Sequence, residues 1–295
     1  MRHLTAITLM LVTATSGCAN SSAGTEPAKH QAPPGVAPAA GDDVPRPVAQ
    51  VVKAMPDVAR LRRATASYLK GRPGQAGLMV EDLKTGATFS YAPHTRFVTA
   101  SVMKVNILTA LLLQRQKAHR GLTATERDIA SRMIRNSDNA AADVLYEKVG
   151  GGSGLARIDR RLGLKETVPY PTRWGASRST AADQVRLLRV LARKKSPLNT
   201  ANRHYVLDLM RSVTPSQAWG IRAAAHRGEA VAVKNGWTPL HVQGTGWAVN
   251  SIGRITGNGH DLLVAIFTTG QPGMSPGIET AEHLAALTVA TLRTR

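Results

Sequence analysis

A single cysteine in 295 residues sets the strongest constraint on this chain. One thiol cannot close an intrachain disulfide, build a CxxC redox pair or assemble a cysteine-based zinc site. Any fold must therefore be held by a hydrophobic core, and an apolar content of 43% suffices for one. The length allows one or two domains. The composition excludes a collagen-like, coiled-coil or wholly disordered chain. The formal net charge of +19 calls for an anionic neighbour: nucleic acid, membrane surface or acidic polymer.

The position of the cysteine is informative. Residues 1–18 read as an export signal, with Arg2 and His3 followed by an apolar run from Leu4 to Ala14 that is too short to span a bilayer. Thr15-Ser16-Gly17-Cys18 then resembles a bacterial lipobox, which implies that Cys18 becomes a lipid-modified N-terminus and anchors the chain to the cell membrane outside the cytoplasm. Thr15 departs from the leucine usual there. The bland alternative is an ordinary cleaved signal, a free thiol and a secreted protein. Residues 19–56 hold seven of the sixteen prolines among small and polar residues, so they read as a disordered tether. Residues 57–295 are left as one folded domain.

Within that domain, apolar spacing predicts a helix over 57–70. Leu78–Leu83 and Thr88–Tyr91, separated by a Gly turn, predict a hairpin. Ser101–Gln116 is the most apolar helix. Thr123 with Glu126, and Thr180 with Asp183, have cap spacing and open two more helices. Residues 139–149 form a helix ended by Gly150-Gly151-Gly152, and 202–210 another. Residues 230–233, 246–255 and 262–268 read as strands, and 278–292 as a closing helix. The expected fold is α/β (α+β): an antiparallel sheet flanked by helices, plus an all-helical subdomain.

Ser-x-x-Lys at a helix start places a hydroxyl and an amine on one face, where a desolvated lysine can take the serine proton. The chain contains two such tetrads, Ser67-Tyr68-Leu69-Lys70 and Ser101-Val102-Met103-Lys104. Ser67 sits in an arginine-rich amphipathic helix and reads as a surface residue. Ser101 opens the most apolar helix. Downstream come Ser137-Asp138-Asn139, between two helices, and Lys234-Asn235-Gly236, at the end of a strand. This ordered trio resembles the set of class A β-lactamases and penicillin-binding proteins.

The resemblance covers residues 57–295 and implies a serine hydrolase with a β-lactamase/transpeptidase-like fold, working through an acyl-enzyme without cofactor or metal. It implies Ser101 as nucleophile, Lys104 as its base and Ser137 as proton relay to the leaving nitrogen. Asn139 would bind the substrate amide. Lys234, Asn235 and Gly236 would bind the substrate carboxylate end, and the N–H groups of Ser101 and Trp237 would form the oxyanion hole.

Three departures stand out. Asn235 replaces a Thr or Ser. The stretch from Ser101 to Ser137 is short. The Glu-x-x-Leu-Asn pattern, which carries the deacylating base in those enzymes, is absent. Glu166 comes too early to replace it and reads as a solvated loop carboxylate, and the loop runs from Val168 to Trp174. Slow turnover of β-lactams is therefore expected. A penicillin-binding-protein-like D-Ala-D-Ala peptidase and a non-catalytic cell-wall binding module are the alternatives. The expected partners are a β-lactam or cell-wall peptide and an anionic membrane surface or wall polymer, with the protein a monomer. Nucleic acid is disfavoured by the 4% aromatic content and scattered cations. A metal site is disfavoured because the nine histidines show no paired ligand spacing.

Overall fold

The computed structural model describes residues 57–241 and 244–293. The export segment, Cys18 and the tether lie outside the described residues.

The strands are β1 (Gln75–Asp82), β2 (Thr88–Tyr91), β3 (Phe97–Val98), β4 (Arg178–Ser179), β5 (Ala230–Pro239), β6 (Trp247–Gly257) and β7 (His260–Thr269). The α-helices are α1 (Val58–Lys70), α2 (Met103–Lys117), α3 (Ala124–Arg135), α4 (Asn139–Lys148), α5 (Gly151–Arg161), α6 (Ala181–Ala192), α7 (Thr200–Arg211) and α8 (Met274–Arg293). Five strands form one antiparallel sheet in the order β2-β1-β7-β6-β5. β3 and β4 pair separately, Phe97 opposite Ser179.

β7 shows why the sheet is covered on both faces. Successive side chains of a strand point to opposite sides. Leu262, Val264 and Ile266 pack in a core with Leu61 of α1 and Ala281, Leu284 and Val289 of α8. Leu263, Ala265 and Phe267 join the opposite core, built mainly from α2 to α7. A run with no polar break is what a strand buried on both faces requires.

α2 is the axis of the helical layer. All eleven residues from Met103 to Leu113 are buried, so this helix has no solvent face. Each fully buried aliphatic side chain there contributes about 1.5–3 kcal/mol of transfer free energy. Against that background Lys104, Asn106 and Thr109 are costly polar insertions.

Both cap signals are realised. Thr123 accepts from the Glu126 N–H at 3.1 Å, and Glu126 accepts from the Thr123 N–H at 3.0 Å. Thr180 accepts from the Asp183 N–H at 3.1 Å. The hairpin pairs in register, Val80 opposite Phe89. Ser67 is exposed, as its amphipathic setting implies.

Two expectations are corrected. The glycine run does end α4, but Gly151 and Gly152 then start α5. Gly150, at φ +94°, reverses the chain, and a side chain on Gly152 would strike Tyr170 O at 2.8 Å. Close packing is the reason for Gly152, whereas Gly150 serves the positive φ at which the chain turns out of α4. Lys234-Asn235-Gly236 lies in the middle of β5 rather than at its end, because β5 continues to Pro239 opposite β6.

Candidate active site

Ser101 lies in a single 3-10 turn, Ala100–Val102, that leads directly into α2. Ala100 adopts φ +46°, a left-handed conformation costing about 1–2 kcal/mol in a residue with a side chain. That kink brings Ser101 to the head of the helix, where backbone N–H groups have no intrahelical acceptor. Ser101 is half-buried, whereas Lys104, one turn on, is fully buried.

Ser137 closes the site from the α3–α4 turn. It too is left-handed, at φ +58°. Asp138 fixes the turn by capping α4 through the Ala141 N–H at 3.0 Å and by pairing with Arg132 at 2.8 Å. Lys104 Nζ donates to the Ser137 carbonyl at 2.6 Å, to Asn139 Oδ1 at 2.7 Å and to Ser137 Oγ at 3.2 Å. Lys234 Nζ reaches the same hydroxyl at 2.9 Å and the Asn235 carbonyl at 2.7 Å. Two buried amines thus share one serine oxygen.

Electrostatics follow from that crowding. Burial pushes the Lys104 ammonium down to about 7, opposed by the charges of Asp138 and Asp143. Lys234 is pushed well below the ordinary lysine value, by burial first and by repulsion from Lys104 second. A lysine that is partly neutral near physiological pH can accept a proton, which an exposed lysine cannot.

β5 forms the far wall. A Cβ on Gly236 would lie 2.7 Å from the N atoms of both Ser101 and Val102, so only glycine lets this strand meet the Ser101 turn. β5 is an outer strand of its sheet, so one of its edges carries backbone groups without a strand partner. Trp237 follows at once, its ring edge-on to Trp219 with centroids 5.8 Å apart.

The amide of Asn139 is oriented by its contacts. Its Oδ1 is taken by Lys104, so its NH₂ group is left for the adjoining cavity of about 520 Å³. Asp143, Tyr170, Trp174 and Thr238 also line that cavity.

Two sequence readings need revision. The Asn235 side chain is buried and donates to the Gln217 carbonyl at 2.8 Å and the Trp219 carbonyl at 3.1 Å. Its NH₂ group pins the segment before β5 and is not presented to a substrate carboxylate. Glu166 is not a solvated carboxylate. It accepts from Thr180 Oγ1 at 2.8 Å, meets His94 Nδ1 at 2.8 Å and lies 3.6 Å from Arg186.

One residue of the site escaped the sequence reading. The Trp174 ring lies over Lys104, with Nζ 4.6 Å from its centroid, and its Nε1 donates to Asp143 Oδ1 at 2.6 Å. A lone tryptophan in the loop lacking the glutamate pattern was the only available signal.

A helical layer thus meets the outer strand of an antiparallel sheet, with two buried lysines converging on one serine at the seam. A model of the beta-lactamase enzyme family matches residues 60–123 and 112–292. The chain belongs to that family. It is 28% identical over 203 residues to the putative lipoprotein LppW of Mycobacterium tuberculosis, covering 66% of this chain and 63% of that protein. It is 27% identical over 194 residues to a beta-lactamase of Bacillus licheniformis, covering 54% of this chain and 62% of the relative. The chain thus spans somewhat less than two thirds of these relatives. Among solved structures, that of PBP-A superposes with a TM-score of 0.69 at 20% identity, covering 81% of this chain and 97% of PBP-A. The TLA-1 extended-spectrum beta-lactamase gives 0.71 at 19% identity, covering 80% and 99%. At such identities the likeness is one of fold.

Proposed function

We propose that the chain is a serine hydrolase acting through a Ser101 acyl-enzyme on β-lactams or related amides and esters, with slow turnover of β-lactams. The observation that carries this reading is the convergence of Lys104 and Lys234 on Ser137 Oγ, with Lys104 desolvated. In the forward step neutral Lys104 takes the Ser101 proton and Oγ bonds to the substrate carbonyl carbon. The oxyanion lies against the N–H groups of Ser101 and Trp237. The C–N bond breaks as Ser137 gives its proton to the leaving nitrogen, and Lys104 restores that proton. Asn139 holds the substrate amide through its free NH₂ group. Lys234 supplies positive potential for a substrate carboxylate, with Gly236 shaping the strand beside it. Asn235 acts only through the backbone it pins.

Glu166 does not take the deacylating role in this reading, since it is committed to His94, Thr180 and Arg186. Acylation outpacing deacylation also supports a penicillin-binding-protein-like peptidase as the second reading. The test is intact-mass measurement after exposure to penicillin, followed over time. A stable adduct lost in Ser101→Ala supports the proposal; no adduct in the wild type refutes it and favours a binding module.

We further propose residues 57–295 as the hydrolase domain of a lipoprotein anchored through Cys18 on the tether of residues 19–56. The name of the mycobacterial relative supports this reading. The high positive charge suits an anionic membrane surface or wall polymer. Among the described residues no helix is long and apolar enough to cross a membrane.

A further inference from the structure

Trp174 occupies an unusual place. One neighbour of its indole is the Lys104 amine; another is the open cavity, which it helps to line. Lys104 is fully buried and does not line that cavity. Asn139 and Trp174 both line it and contact Lys104, and Asp143, also in the lining, acts on the amine through its charge. Asn139 is bonded to the lysine. The indole therefore adjoins both the cavity and the amine.

The ring is also held in place. Its Nε1–H is spent on Asp143 from α4, and the residue is only 9% exposed. The 3-10 turn Trp174–Ala176 packs beside the nucleophile turn through a hydrogen bond from the Thr99 N–H to the Ser177 carbonyl at 2.9 Å. A large side chain fixed at both its edge and its backbone is a poor gate and a good wall.

We propose that Trp174 is a positioning residue that seals the Lys104 side of the Ser101 acyl-enzyme against water and so sets how long the acyl group persists. This rests on the acyl-enzyme reading above and deepens it. Hydrolysis adds a water oxygen to the ester carbonyl carbon, breaks the bond to Ser101 Oγ, and returns a water proton to that oxygen. The buried amine beside the ester is the base available for that proton. Water must stand next to it, in space the indole fills. Removing the ring joins the cavity to the amine and admits the water.

The test compares wild type, Trp174→Ala, Trp174→Phe and Trp174→Leu, using penicillin G and intact-mass measurement of adduct formation and decay. The expected result is a half-life of the Trp174→Ala adduct shortened about tenfold or more, with Trp174→Phe within about threefold of wild type because a ring still covers the amine. The midpoint of acylation against pH is expected to rise in Trp174→Ala, since water then stabilises the charged amine. A merely structural role would lower thermal stability without moving either quantity. An adduct half-life in folded Trp174→Ala within twofold of wild type overturns the proposal. If that variant does not fold, Trp174→Leu takes its place: an adduct as durable as in wild type overturns the proposal, and a shorter-lived one supports it. A wild type that takes no adduct overturns the acyl-enzyme reading instead, before any variant is compared.

Discussion

Gly236→Ala isolates the joint between strand and nucleophile. The added Cβ would meet Ser101 N and Val102 N at 2.7 Å and Thr99 O at 2.8 Å. Ordinary carbon contacts lie near 3.5–4.0 Å, so relief needs a separation of about 0.7–1.3 Å. All three contacts are backbone atoms, and no flexible side chain can yield in their place. Overpacking of this kind costs about 1–3 kcal/mol of stability. A misplacement of about 1 Å between reacting groups costs on the order of 10²-fold in rate. The expected variant is therefore folded, melts a few degrees lower, and acylates about a hundredfold more slowly with penicillin. Stopped-flow or time-resolved intact mass gives the rate, and a thermal melt gives the stability. Acylation within twofold of wild type would show that β5 does not abut the Ser101 turn, and the account of the oxyanion site would fall with it.

Other outcomes follow from the same geometry. Acylation needs neutral Lys104, whose ammonium titrates near 7, so the rate is expected to rise about tenfold from pH 6 to pH 8; a flat profile refutes Lys104 as base. Asn235→Ala leaves the Gln217 and Trp219 carbonyls without their donor and is expected to destabilise the fold by about 1–3 kcal/mol, read by urea melts. Glu126 is almost fully buried between Arg115 and Lys148, which hold its carboxyl down at about 2. A depressed carboxyl stabilises the fold above its unfolded value and loses that contribution as pH falls towards 2; Glu126→Gln is expected to flatten the acid limb of a stability profile. Glu166→Gln is expected to leave adduct decay within about threefold of wild type, since this carboxylate serves His94, Thr180 and Arg186; a larger slowing of decay would make it the deacylating base after all.

The parts legible in the sequence are those fixed by neighbours along the chain. Ser101 and Lys104 share a face because a helix places residues three apart together. Thr123 with Glu126 and Thr180 with Asp183 marked helix starts because a cap is satisfied within one turn. The β-branched and aromatic run of β7 and the apolar density of α2 announced a sheet covered by helices. Gly152 misled, because it starts α5 and lies against Tyr170, whose position is set by the path of a separate loop.

Asn235 shows the same limit at the site itself. Its place in the Lys-x-Gly motif suggested a substrate contact, but its NH₂ group satisfies two carbonyls from the segment before β5. Trp174 is the converse case, a loop residue with no motif that tertiary packing sets against the amine.

The order of motifs, the pairing of Ser101 with Lys104 on one helix face, the helix starts and the class of fold were all readable along the chain. These depend on periodicity and short spacing, which the chain carries locally. The meeting of Lys104 and Lys234 at one hydroxyl, the contact of Gly236 with the Ser101 turn and the indole over Lys104 appear only in the folded chain. Those contacts join residues tens of positions apart. Basicity, water access and close approach are properties of burial, and burial is settled only when the whole core closes.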